Sequence, residues 1–212
     1  MSYIHPGSLS SLFNTLPRHS ALRLPVYKTL VELASLNDEL YVLQVSRSDV
    51  ENWLKEWDIT PTEKSAFLKT LVDAFSKASQ SYVPHHHYLH HRLRLFNHPL
   101  PKSNRDTAYH YKLAHVRSLE PTLQSTQPVA LDAIATALSN PAVFDFDPLF
   151  KLDAVIATKS HPLFALLQIF LNGGLDGLHT WQRANADVSS SFGALPSVFP
   201  PPKTVPTSSM LT

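Results

Sequence analysis

The chain has 212 residues, no cysteine and a formal net charge of +1, which suits one domain with a tail that buries roughly 70% of its unfolded surface. The missing thiols exclude a disulfide scaffold, a thiolate metal site and a cysteine nucleophile. Near-neutral charge sets up no global pull towards nucleic acid or lipid, the N-terminal residues lack the basic start and apolar core of a signal peptide, and no run reaches the ~20 apolar residues of a spanning helix. A soluble, cytoplasmic protein with no membrane partner is expected.

In chain order, the first ambiguous stretch is 41–45, the only run with enough alternation to be considered for a strand, although a helix turn or linker fits it as well. Ser48-Asp49-Val50-Glu51 reads as a capping box that opens a short helix carrying Trp53, Leu54 and Trp57. Thr60-Pro61-Thr62-Glu63 is a second box, with proline at the first helical position. The helix it opens, over 61–83, places Phe67, Leu68, Leu71, Val72, Phe75 and Ala78 on one stripe.

Next come eight of the chain's 12 histidines, between His85 and His115. On a helix, His86 with His90 and His87 with His91 are i, i+4 pairs, a spacing that can chelate a metal. No glutamate lies between them and the nearest acid downstream is Asp106, so a solvated face is expected and no metal site is assigned. The same stretch is basic. Arg92, Arg94, Lys102, Arg105, Lys112 and Arg117 face one acid and are interleaved with Tyr88, Phe96, Tyr109 and Tyr111, a strip that can touch RNA by phosphate contact and stacking. Ser103-Asn104-Arg105-Asp106 starts a helix through Tyr109, Leu113, Val116 and Arg117, and residues 129–138 repeat the pattern with Ala130, Leu131, Ile134 and Leu138.

Asp145-Phe146-Asp147, with Asp153 beyond, has the look of paired carboxylates, but the aromatic surroundings argue otherwise. Asp145 or Asp147 is expected to cap a helix ahead of Pro148, with Phe144, Phe146, Leu149 and Phe150 filling the core. The block 141–185 is dense in apolar residues at helical spacing and poor in reactive side chains, the pattern of a helix that packs on others and offers a partner a surface. Gly173-Gly174 suits a helix C-terminus and lacks the spacing of a phosphate loop. No Gly-x-Ser-x-Gly elbow occurs, and the three tryptophans read as packing residues. No catalytic residue, cofactor or small-molecule substrate is assigned. Residues 1–187 are expected to form the helical domain and 188–212, with Pro200 to Pro202 in sequence, a disordered Pro/Ser-rich tail. Short breaks at Asn37-Asp38, 57–60, Asn140-Pro141 and 172–174 predict antiparallel helix pairs stacked into an all-α solenoid with no fixed repeat period.

LSSLFNTLP at 9–17, RLPVYKTLVELA at 23–34, VENWLKEWDITPTEKSAFLKTLVDAF at 50–75 and the block from ALDAIATALSNP to LLQIFL at 130–171 occur in order. Together they resemble the subunit M family of eukaryotic translation initiation factor 3, most of all its fungal members, judging by FDFD and LDAV. That resemblance implies the right-handed α-solenoid of PCI proteins and a non-catalytic structural subunit. Its partners would be the other factor 3 subunits and, through them, the small ribosomal subunit. It also implies that the winged-helix half of a PCI domain does not follow here, so the chain corresponds to a middle section. The alternatives are a scaffold of the same architecture in the signalosome or proteasome lid, and an RNA-binding helical module using 92–117.

Overall fold

The computed structural model describes residues 6–43, 47–80, 104–120, 125–172 and 174–186. Among them are ten α-helices, one 3-10 turn and no strand. The helices pack mainly on near neighbours in the chain and so build an all-α solenoid-like array, as the short breaks predict.

The array begins with α1 (Pro6–Thr15) against α2 (Arg23–Leu36). The Asn37-Asp38 break is a helix stop made by backbone geometry. Asp38 takes φ 57°, the left-handed conformation, and the amide of Glu39 then returns to the carbonyl of Ala34 at 2.7 Å. Residues Leu40–Leu43 form a 3-10 turn, so Tyr41 to Leu43 of the ambiguous alternating run are helix-like; residues 44–46 lie outside the described residues.

Helix α3 (Arg47–Glu56) starts one residue before the expected box, and Glu51 is held by Arg47, whose Nε donates to its carboxylate at 2.6 Å. In α4 (Pro61–Gln80) the box forms in full. The Thr60 amide and hydroxyl both donate to Glu63 Oε2 at 2.8 Å, and the Glu63 amide donates back to Thr60 Oγ1 at 3.2 Å. These bonds favour the charged carboxylate, led by the Thr60 backbone donor, and lower the Glu63 pKa. Thr60→Ala is expected to cost about 1 kcal/mol of stability in urea unfolding; no loss would mean that the proline alone starts the helix.

The stripe on α4 meets α2, α3 and α1 in the first of two cores. Phe13, Tyr27, Trp57 and Phe67 are buried there and Trp53 is partly so, with ring centroids 5.1–6.5 Å apart. Burial pushes the Tyr27 phenol pKa well up, with Tyr111 and Asp49 adding to it.

Helix α5 (Asn104–Ser118) is apolar on two sides. Tyr111 faces the first core, while Tyr109, Leu113 and Val116 face a second one. That second core is shared with α6 (Thr126–Ser139), the short α7 (Asp147–Phe150) and α8 (Asp153–Ile156), α9 (Pro162–Asn172) and α10 (Leu175–Ala184). Ala130, Ala133 and Ala137 are fully buried along α6, and small side chains there let neighbouring backbones approach closely. On α10, Gly177 sits against Ile169, where an added Cβ would stand at an ordinary 3.7 Å from that side chain.

One expected core position is corrected. Phe146, Leu149 and Phe150 pack into the second core, but Phe144 is 87% exposed. The reason lies in the turn before α7: Asp145 Oδ1 accepts the Asp147 amide at 3.0 Å, and Phe146 occupies the cap position without a side-chain bond. Asp145 thus does the capping, and Phe144 lies ahead of that turn.

Candidate functional site

Of the six basic residues singled out, Arg92, Arg94 and Lys102 lie outside the described residues, as do His86, His87, His90 and His91. The other three sit on α5. Arg105 is exposed in its first turn and engaged in an interaction of its own. Lys112 has a side chain only 12% exposed; it pairs with Asp132 of α6 at 2.6 Å and donates to Thr136 Oγ1 at 2.7 Å. Arg117 is exposed in the last turn, where a cation complements the helix dipole. Arg105 and Lys112 share one stripe, while Arg117 is displaced by about 120° around the axis. Lys112 therefore ties α5 to α6, and Arg105 and Arg117 are exposed on the surface of α5.

Other polar side chains at the helix junctions are hydrogen-bonded, mostly to backbone groups. Asn140 is buried and joins α6 to α5, donating to Asp106 Oδ1 at 3.1 Å and accepting the Ala142 amide at 3.2 Å. Thr126 Oγ1 donates to the Glu120 carbonyl at 2.8 Å, and Trp181 Nε1 to the Pro162 carbonyl at 3.0 Å. Each pairing satisfies a buried polar atom and fixes one helix on the next. Among the described residues no group of three or more His, Asp and Glu side chains is placed to hold a metal ion, and no helix is long and apolar enough to cross a membrane.

His115, Tyr109 and Tyr111 are the buried titratable groups of α5. Burial pushes the Tyr109 phenol up to about 12, with Asp145 adding, and its hydroxyl has no hydrogen-bond partner. Burial also lowers the His115 pKa, helped by Lys69 and Lys112 and opposed by Asp73. A folded value below the unfolded ~6.5 means that the neutral ring favours the native state. The His115 contribution is complete above about pH 6.5 and lost as pH falls through the lowered folded value. The stability curve of His115→Asn is accordingly expected to fall less steeply on acidification than that of the parent; equal slopes below pH 6.5 would remove His115 as the cause.

What the molecule presents outward is apolar in several places. Phe170 and Leu171 on α9 and Leu175 on α10 are exposed beside a buried row of Leu163, Phe164, Leu166 and Leu167. The Phe170 ring meets buried Phe146 edge-on at 6.2 Å, and Phe144 lies two residues away in sequence. At the other end Leu12 and Leu22 are exposed next to buried Phe13 and Arg23. Sequence pattern shows the buried stripes but not these positions. Leu22 is off the stripe of Leu24, Tyr27 and Val31, which is the signal that could have found it.

No protein-family model matches the chain. Among curated proteins it is similar to eukaryotic translation initiation factor 3 subunit M of Aspergillus terreus, 26% identical over 193 residues, covering 88% of this chain and 37% of the relative. The subunit M of Phaeosphaeria nodorum is 26% identical over 174 residues, 79% of this chain and 34% of the relative. That of Gallus gallus is 24% identical over 190 residues, 88% of this chain and 44% of the relative. The chain thus spans less than half the length of these relatives. Over most of its own length, and in fungal and vertebrate comparisons alike, it is similar to subunit M of eukaryotic translation initiation factor 3, the family its motifs resemble.

Proposed function

We propose that this chain is a non-catalytic helical subunit of the eukaryotic translation initiation factor 3 complex, working in the cytoplasm by surface contact with the other subunits. Through them it supports assembly of the initiation complex on the small ribosomal subunit. The observation that carries this reading is the similarity to subunit M over 193 residues, 88% of the chain. Physical support comes from the helical array, whose junction side chains Lys112, Asn140, Thr126 and Trp181 are occupied in joining helices, and whose outer faces carry exposed Phe and Leu.

The test is affinity purification of the tagged full chain, with identification of the co-purifying subunits and sedimentation alongside the small ribosomal subunit. Factor 3 subunits in near-equal amounts are the expected result. Signalosome or proteasome-lid subunits in their place would transfer the chain to a sister scaffold. Association that vanishes on nuclease treatment and on joint replacement of Arg92, Arg94 and Arg105 by alanine would favour the RNA-binding reading, for which exposed Arg105 and Arg117 are the described footing.

A further inference from the structure

We infer that the corner between α1 and α2 is a docking surface for an acidic, apolar-flanked segment of a partner protein, an assignment that rests on the assembly role proposed above. It is carried by Arg23, which is buried without an anion. Only 7% exposed, its Nη2 donates to the Phe13 carbonyl at 3.2 Å and its guanidinium lies 4.2 Å from the centre of the Phe13 ring. Its Nε is buried with no hydrogen-bond partner, and no carboxylate pairs with it among the described residues. A carbonyl and a ring face are weak compensation for a buried cation, which ordinarily keeps a carboxylate beside it. Close by, Trp57 Nε1 is a second buried donor without a partner, on a ring 6.1 Å from Phe13.

The surroundings define what would fit. The first 31 residues contain no Asp or Glu, and they contribute Arg18, Arg23 and Lys28. Lys28 is paired with Glu32 at 3.9 Å, whereas exposed Arg18 has no ion pair among the described residues. Two acids approach the connection between α1 and α2, but through their backbones. Nδ1–H of His19 donates to the Glu56 carbonyl at 3.0 Å, and the Asp58 amide to the His19 carbonyl at 3.5 Å. Neither carboxylate reaches Arg18 or Arg23. Next to these buried residues in sequence stand Leu22, 63% exposed and directly before Arg23, and Leu12, directly before Phe13 and likewise exposed.

Positive charge from Arg18 and Arg23 in a stretch that also exposes Leu12 and Leu22 is complementary to a carboxylate set among apolar side chains. A nucleic-acid phosphate would answer the arginines and leave both leucines in water, so a protein segment is the better complement.

The experiment places a photoreactive benzoylphenylalanine at position 22 of the full chain, co-expressed with tagged factor 3, and maps the crosslinks. Crosslinks to a factor 3 subunit, within a segment containing Asp or Glu among apolar residues, are expected. Leu22→Glu is the companion variant: at an exposed position it leaves circular dichroism and melting unchanged, and it should lower the amount of chain recovered with the complex about tenfold. Recovery undiminished by Leu22→Glu, or crosslinks to RNA, would overturn the docking surface while leaving the assembly role standing. Failure of the unmodified chain to enter the complex would overturn both.

Discussion

Phe67→Ala is expected to remove about 3–5 kcal/mol of stability, a large share of the ~5–15 kcal/mol that holds a typical domain folded. Phe67 is among the largest fully buried side chains and belongs to the first core. Its ring centroid is 6.0 Å from that of Tyr27 and 6.2 Å from that of Trp57, so truncation removes two aromatic contacts as well as apolar area. The resulting cavity would open beside Tyr27 of α2 and Trp57, which follows α3, and α4 is a 20-residue helix fixed at its start by a complete capping box. A helix held in that way collapses little into the hole, which places the cost towards the upper part of the range. Urea unfolding followed by tryptophan fluorescence measures it, because Trp53 and Trp57 report on this core. Phe67→Leu, which keeps most of the volume, should cost about 1 kcal/mol. A loss below that for the alanine variant would mean that the core around Tyr27 and Trp57 is looser than its ring distances state.

The same residues show how much could be read without coordinates. Where a helix is apolar on one face, periodicity is sufficient: all six stripe positions named on α4 are buried or packed against the first core. The Thr60–Glu63 box was legible because its chemistry is local, a hydroxyl and a carboxylate three residues apart satisfying each other's neighbouring amides. At the Ser48 box the motif is silent on Arg47, which offers Glu51 an ion pair. Phe144 was misplaced for a related reason: hydrophobicity alone does not say on which side of an Asp turn a ring will lie.

For the candidate surface, Lys112 looked like a free cation because its partner, Asp132, is on another helix. Arg23 carries no signal in the sequence, since an arginine at a helix start is ordinary without its burial over Phe13. Tertiary neighbours decided each of these cases. The composition of the first 31 residues, free of acids, was present in the sequence throughout, but it acquires meaning only once a buried cation is found there.

Leu113→Ala tests whether the two cores stand or fall together, and it is expected to cost about 2–5 kcal/mol while lowering both at once. The two cores are joined by α5, which packs on α4 on one side and on α6 on the other. Tyr109, Leu113 and Val116, spaced at i, i+4 and i+7, form the face towards the second core, whereas Tyr111 and Ala114 point to the first. A helix apolar on both sides gains its stability from both packings, since helices of this length are marginal alone. Loosening one face therefore weakens the support that the other face offers.

The three tryptophans allow each core to be watched separately, for Trp53 and Trp57 sit in the first and Trp181 in the second. Trp181→Phe leaves only the first pair to report, and the joint variant Trp53→Phe, Trp57→Phe leaves only Trp181. In each background the shift caused by Leu113→Ala is measured against the same background with Leu113 intact, which removes the effect of the tryptophan changes themselves. Equal shifts from the two reporters are expected, as one cooperative transition requires. A shift confined to Trp181 would show that the first core holds without its neighbour, and α5 would then be a cover on two independent packings and no longer the link between them.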